Sequence, residues 1–258
     1  MEFKISNFPI TKNGLDKIDS SPLDYWYNYL RPDREDYVKS NKTIFDEAFR
    51  LSVFNFEKFK NTYIRSPKID KRSQIGKSEY LALLNIAEKQ FKILLEELDY
   101  DTILSMRNAV LNHATSSKLC LEDKLNTKID YHEKESGAVI KFKPNFINPM
   151  GIIVNLSSTD DASNYNFSKE CWNFRHDKRA AIYIDGTGIN DMVFITVESK
   201  APYKIGIRYL DEKSINFGRE TYLKNCQTYA ECLKSGVWIG IEPSIVEGSL
   251  PNWVFNKF

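Results

Sequence analysis

Residues 139–161 read VIKFKPNFINPMGIIVNLSSTDD. Val139 to Lys143 alternates apolar and polar side chains, the period of a strand buried on one face. Asn148-Pro149-Met150-Gly151 is turn chemistry, and Ile152 to Leu156 is a second apolar run of strand length. The stretch predicts a hairpin. Its first strand ends at Lys143-Pro144-Asn145, and a tight turn leads to a strand carrying Asn155-Leu156-Ser157. Successive strand residues point to opposite faces, so Asn155 and Ser157, two apart, share one face.

Upstream, the first 125 residues read mainly as helix. Leu15, Ile18 and Tyr25-Trp26-Tyr27 suggest a short helix broken at Ser21-Pro22. Phe45, Phe49, Val53, Phe56 and Phe59 recur at helical spacing, predicting a helix over about 43–61. Leu83, Ile86, Ala87, Phe91 and Leu94 predict another over about 79–98, and residues 102–112 a fourth with Asp101 as its N-cap. Downstream, Ala180 to Ile184 is expected to continue a helix begun near Phe167. Strands are expected at 192–198 and 203–210. A last helix follows Asn216 and stops at Gly236, and the tail at Leu250-Pro251-Asn252-Trp253 is expected to be extended. The expectation is a single α+β domain over 1–258: a small mixed sheet flanked by helices in 126–258, with a helical part in 1–125.

The chain has 258 residues, and its 36 Lys and Arg nearly cancel its 35 Asp and Glu. That balance argues against a general polybasic coat and says nothing about a local basic groove. No apolar run approaches the roughly 18 residues of a membrane span, and the N-terminus lacks a basic-then-apolar leader. The 4 cysteines include no C-x-x-C pair, so a reduced cytoplasmic protein without disulfide framework or structural metal is expected. Phosphate-loop, dinucleotide, nucleophile-elbow and H-E-x-x-H signatures are absent from the sequence. Gly186-Thr187-Gly188 follows a helical run and reads as a turn.

Weak motifs in a fixed order carry more information. They begin with Thr11-Lys12-Asn13-Gly14-Leu15, Ser20-Ser21-Pro22, Ala48-Phe49-Arg50-Leu51 and Glu57-Lys58-Phe59. Arg72-Ser73-Gln74-Ile75-Gly76-Lys77, Lys143-Pro144-Asn145 and Asn155-Leu156-Ser157-Ser158-Thr159-Asp160-Asp161-Ala162 follow. Ala180-Ala181-x-Tyr183-x-Asp185-Gly186, Val197-Glu198-x-Lys200-x-Pro202-Tyr203, Gly218-Arg219, Trp238 and the Leu250-Pro251-x-Trp253 tail complete the set. Over nearly its whole length the chain resembles the nuclease domain of the RecE (exonuclease VIII) family, phage- and prophage-type exonucleases with the PDDEXK restriction-endonuclease-like fold. The resemblance implies an α+β core of that type. In intact members it also implies acidic residues on the hairpin that hold Mg²⁺, with a lysine acting near the scissile phosphate.

At the positions that resemblance singles out, the chain departs from the pattern. Arg50 stands where the family has a helix histidine, Asn145 where it has the aspartate of R-P-D, and Asn155-x-Ser157 replaces D-x-K. Arg179 replaces a glutamine. The family's earlier acid is expected near Asn126 to Lys128, where no carboxylate stands. Asparagine keeps the shape of aspartate without its charge, so these five positions, Arg50, Asn145, Asn155, Ser157 and Arg179, are expected to be catalytically inactive and to bind no metal or other cofactor. Asp160 and Asp161 read as a turn or N-cap, Glu198 and Lys200 as structural, Glu47 as a helix-surface partner, and His176-Asp177-Lys178 as a solvated helix face. Arg50 and Arg179 either hold a phosphate where the metal would sit, or Arg50 pairs with Glu47 or Asp160 and fills the cavity.

Polynucleotide binding is the property expected to persist. From Lys58 to Lys77 seven basic residues face one acid, Asp70. Lys68, Lys71, Arg72 and Lys77 from that stretch, Lys141 and Lys143 on the hairpin, and Arg175 and Lys178 on the following helix are the expected DNA contacts. The primary expectation is a catalytically degenerate protein that binds double-stranded DNA ends or serves in a phage recombination assembly. An active Mg²⁺-dependent 5′-to-3′ double-strand exonuclease and a protein-interaction scaffold are the alternatives. The resemblance also implies a homo-oligomeric ring and a single-strand annealing protein as partners.

Overall fold

The computed structural model describes residues 5–35, 38–120, 128–241, 245 and 247–250. The N-terminal half contains β1 (Ile10–Thr11), α1 (Lys12–Ser20), α2 (Pro22–Tyr25), α3 (Asn41–Phe54), α4 (Phe56–Thr62), β2 (Tyr63–Arg65), α5 (Gln74–Lys89), β3 (Ile93–Leu95), α6 (Glu97–Asn112) and α7 (Ser116–Leu119). The C-terminal half contains β4 (Ile129–His132), β5 (Val139–Phe142), β6 (Phe146–Ile147), β7 (Ile153–Thr159), α8 (Asn164–Asn173), α9 (His176–Thr187), β8 (Met192–Glu198), β9 (Ile205–Arg208) and α10 (Glu212–Ser235).

A four-stranded sheet in the order β6-β7-β8-β9 lies at the centre. β7 and β8 run parallel, in register from Ile153 opposite Met192 to Thr159 opposite Glu198. Both are almost continuously buried, as expected of a parallel pair covered on its two faces by a helical crossover and its neighbours. Val154, Leu156, Ile195 and Val197 point into a core formed with Phe49, Val53, Ile103 and Met106 of α3 and α6. Ile153, Met192 and Phe194 point into a second core with Leu15, Phe167, Ala181 and Tyr222 from α1, α8, α9 and α10. α1 is thus built into the same core as helices from the far end of the chain, and β1 pairs in parallel with β5.

Several boundaries differ from the sequence expectations, each for a local reason. Asn55 splits the expected 43–61 helix: its backbone leaves the helical region and its side chain accepts from the Lys58 N–H, capping α4. α5 begins at Gln74 because Ser73 accepts from the Gly76 N–H. It ends at Lys89, beyond which Phe91 takes φ +53° and the chain turns into β3. Asp101 lies inside α6, not at its cap, and pairs with Arg65. Arg175, at φ +48°, separates α8 from α9. α10 starts earlier than expected because Asp211 caps it through the Ser214 N–H, and it stops at Gly236, where φ is +71°. Residues 139–142 do not form the hairpin with β7. They belong to a separate sheet, β1-β5-β4, and the two-residue strand β6 makes the hairpin instead. The tail at Pro251 to Trp253, and Asn126, lie outside the described residues.

The expected solvated face of α9 is instead buried. His176, Asp177 and Lys178 are all inside, Lys178 with no exposure at all. Its ammonium lies 2.9 Å from Asp16 and 3.0 Å from Asp19 of α1, and Arg175 bridges Asp19 and Asp177. Charges buried in this way must be paired and hydrogen-bonded, so the network ties α9 to α1. α10 crosses α9 at Gly218, where a Cβ would stand 2.3 Å from the Asp177 carbonyl carbon.

Gly218→Ala is therefore expected to destabilise the fold by about 1–3 kcal/mol through overpacking, although alanine is the better helix former. Urea unfolding measures this, and an unchanged or raised midpoint would contradict the close approach of α9 and α10.

Candidate functional site

The hairpin of β6 and β7 opens after two residue pairs. Phe146 stands opposite Val154, which places Asn145 opposite Asn155. Beyond that point Lys143-Pro144 carries the chain away, and Pro144 has no N–H to extend the ladder. The exposed edge of β7 is served by a side chain: Asn145 Oδ1 accepts from the Leu156 N–H at 3.0 Å. Asn155 is 4% exposed, and Ser157, on the same face, is half-buried.

α9 presents two residues to this opening. Arg179 donates from Nη1 to Asn155 Oδ1 at 3.3 Å. One turn on, Tyr183 donates its hydroxyl to the Lys143 carbonyl at 3.4 Å. Arg50 comes from α3, on the other side of the hairpin. Burial lowers its pKa from the usual guanidinium value, Asp46 and Glu47 raise it, and Arg179 again lowers it. It remains a cation at neutral pH. The two carboxylates nearest to it are already engaged, Glu47 by Lys39 at 2.6 Å and Asp46 by Lys42 and the Ser158 hydroxyl. The Tyr183 hydroxyl is held above its ordinary pKa by burial, with both guanidiniums opposing.

Arg50 and Asn145 line a cleft of about 440 Å³ that also receives Lys39, Lys58, Lys143 and Tyr63. Among the described residues Glu47 is the one carboxylate on its wall, against four cationic side chains. Lys39 lacks any distinguishing pattern in the sequence that would mark it as a site residue, and Lys58 stands out only as the start of the basic stretch 58–77. Only the folding of α3 and α4 around the hairpin mouth brings them in.

The donor set does not fit Mg²⁺. A hard divalent cation requires anionic oxygens, and the three hairpin positions offer two amides and a hydroxyl. One amide oxygen is committed to the Leu156 N–H and the other to Arg179. Among the described residues no group of three His, Cys, Asp or Glu side chains is placed to hold a metal. Positive charge is instead supplied by Arg50 and Arg179.

Near Arg179 lie two further buried groups, His176, expected on a solvated helix face, and Lys12, for which no site role is expected. His176, packed on Phe194 at 5.0 Å between ring centres, is held neutral, its pKa pushed down to about 3 by burial and by Arg179 and Lys12. Lys12 falls to about 8 through burial first and Arg179 second, with Asp16 opposing. It donates to the Phe174 carbonyl at 2.5 Å.

The expected DNA contacts scatter. Lys143 lies on the cleft wall. Lys68, Arg72 and Lys77 are exposed on the segment that follows β2, whose Tyr63 is itself part of that wall. Lys71 stacks 3.6 Å from the Tyr80 ring centre and pairs with Glu96. Lys141 is exposed on β5, 3.7 Å from Asp130. Arg175 and Lys178 are not surface groups: the buried network with Asp16, Asp19 and Asp177 uses them. Asp161 accepts from the Ser163 N–H and hydroxyl, a turn role, and Glu198 accepts from the Ala162 N–H at 3.1 Å. Arg219 and Tyr222 both hold Asp185, away from the cleft.

No curated protein matches the chain. Among solved structures, a crystal structure from Eubacterium rectale titled "Putative exonuclease" superposes with a TM-score of 0.61, over 96% of this chain and 93% of that one, at 12% sequence identity. At that identity the likeness is one of fold. It fits a mixed sheet with a parallel central pair, helices on both faces and a hairpin open at one edge. A family described as "PDDEXK-like domain of unknown function (DUF3799)" matches residues 51–240, from the α3 residue after Arg50 to beyond α10 and including the whole hairpin and Arg179. The chain therefore belongs to this family of PDDEXK-like domains.

Proposed function

We propose that this protein is a RecE-like member of the PDDEXK-like nucleases that has lost hydrolysis and retains the DNA terminus, holding a backbone phosphate of duplex DNA at the hairpin mouth. The observation that carries this reading is the pair Arg50 and Arg179, two guanidiniums whose charges interact, Arg179 bonded to Asn155 and Arg50 on the cleft wall beside Asn145, where an intact relative would hold a cation between acids. Arg179 disfavours the charge on Arg50, and the neighbouring carboxylates Asp46 and Glu47 are committed elsewhere. A phosphate between them relieves that repulsion and accepts several charge-assisted hydrogen bonds, for which the guanidinium fork is suited. Lys39, Lys58 and Lys143 extend the positive surface along the cleft, and the segment with Lys68, Arg72 and Lys77 leads away from its wall. Asn145 serves as a structural cap on β7, and Ser157 has no charge to stabilise a transition state. A phage-type recombination assembly, with a single-strand annealing protein or a ring of copies, is the setting that the resemblance implies.

Fluorescence anisotropy with a blunt, 5′-phosphorylated duplex tests the reading. Binding is expected to weaken steeply with salt, as contact with several phosphates requires. Arg50→Ala and Arg179→Ala are each expected to reduce affinity by roughly tenfold and to lower the log–log salt slope by about one. Incubation with Mg²⁺ or Mn²⁺ is expected to leave the duplex intact. Cleavage that EDTA abolishes would overturn the reading, and so would binding indifferent to both arginines.

The site's geometry also dictates how metal binding would return. Asn145→Asp, Asn155→Asp and Ser157→Lys together are expected to bind no Mg²⁺ by titration calorimetry, because Arg179 would pair with the new carboxylate at 155. Adding Arg179→Gln and Arg50→His is expected to restore a site with millimolar affinity or better. Binding by the triple variant alone would show that Arg179 does not control the pocket.

A further inference from the structure

At the edge of the sheet opposite the hairpin, β9 is followed by a surface with a different character. Trp172 of α8 is 64% exposed, Tyr209 beyond β9 79% and Phe217 of α10 49%. Exposed aromatic surface in one contiguous patch is unusual and marks interaction sites. Here it is also ordered. The Trp172 and Phe217 rings lie 6.4 Å apart, and the Arg175 guanidinium stands 5.3 Å from the first and 5.7 Å from the second. Arg175 is itself locked by Asp177 and Asp19, so the aromatic pair rests on a fixed support. A groove of about 430 Å³ runs between them past Cys171 and Leu210, and it adjoins a second of about 350 Å³ that reaches Phe167 and Tyr209.

The charges around the aromatic groove differ from those of the hairpin cleft. Asp211 and Lys213 line the groove itself, where Asp177 is already paired with Arg175, and Arg208 lines the second groove. Glu212 and Glu220 stand with Lys213 around an adjoining hollow that shares Phe217, and there the excess is negative where the cleft's is positive. A phosphate backbone would be repelled here, whereas a cationic side chain would be attracted. Rigid Trp and Phe surface next to a pocket is the composition of a protein-binding hot spot.

We infer that the groove between α8 and α10 docks a protein segment that carries an aromatic or large aliphatic anchor beside Lys or Arg. The anchor packs against the exposed surface of the Trp172–Phe217 pair, and its basic neighbours meet Glu212 and Glu220 in the hollow beside Phe217. Because β9 and β6 are opposite edges of one sheet, this partner and a ligand in the hairpin cleft can be held at the same time.

The test uses the full chain as bait for a displayed library of random peptides about twelve residues long, a length that spans such a groove, with recovered peptides synthesised and measured by anisotropy. The expected peptides place an aromatic or leucine next to Lys or Arg. They lose roughly tenfold or more in affinity against Trp172→Ala or Phe217→Ala, and they weaken against Glu220→Lys, an exposed change that leaves the apolar groove intact. Unfolding midpoints of the variants separate lost contact from lost fold, with Glu220→Lys and Tyr209→Ala as the informative pair if either ring is needed for stability. Duplex binding is expected to be the same in all four variants. Failure to recover peptides, recovery of acidic ones, or binding indifferent to Trp172 and Glu220 would overturn the inference. So would self-association by sedimentation velocity that Trp172→Ala abolishes, which would make a second copy the occupant, or single-stranded oligonucleotide binding lost in the same variant.

Discussion

Seven residues of β7 run in parallel register with seven of β8, and this pairing is the constraint on which the remaining structure depends. A parallel pair cannot be left bare on either face, so α3 and α6 must cover one side and α8, α9 and α10 the other. The crossover between the two strands then delivers α9 to the face that carries Asn155. Arg179 reaches that amide because the chain between β7 and β8 has no other short way to return in parallel. The site is thus a consequence of sheet topology before it is a consequence of any local motif.

At the hairpin mouth a polar side chain has a structural task. In a cleft meant for a cation, a carboxylate at the end of β6 would face the metal. Here the side chain of Asn145 turns to the Leu156 N–H, which the splayed strand would otherwise leave without an acceptor. An unpaired backbone donor costs about as much as a lost hydrogen bond, so the amide has a structural reason to be retained. Arg179 in turn occupies the oxygen of Asn155. The positive charge of the pocket becomes part of the covalent chain, fixed in place, where in a metal site it would be exchangeable.

The two edges of the sheet face their surroundings with opposite charge. Around the hairpin cleft lysine and arginine dominate, and around the hollow beside Phe217 carboxylates do. The whole-chain balance of 36 basic and 35 acidic residues averages these away. Net charge is a property of the composition, whereas binding depends on the field within about a Debye length of a surface, about 8–10 Å at ordinary salt.

The α+β class, both long central strands and the basic character of residues 58–77 were legible in the sequence, whereas Arg50, Asn145, Asn155, Ser157 and Arg179 were singled out only by the family resemblance. The first three are local patterns, set by period, turn chemistry and residue type. The helix breaks at Asn55 and Phe91 were not legible, since capping and a left-handed turn override apolar periodicity. Nor was the burial of Lys178, because a lysine on a polar-looking helix face reads as solvated until Asp16 and Asp19 arrive from a helix some 160 residues earlier. The sequence alone determined that positions 145, 155 and 157 carry two amides and a hydroxyl: charge is a property of the residue and travels with it. Only the tertiary structure decided which charges meet there, because Arg179 lies far along the chain from the segment that holds Lys39, Arg50 and Lys58, and α9 approaches α3 only at the hairpin.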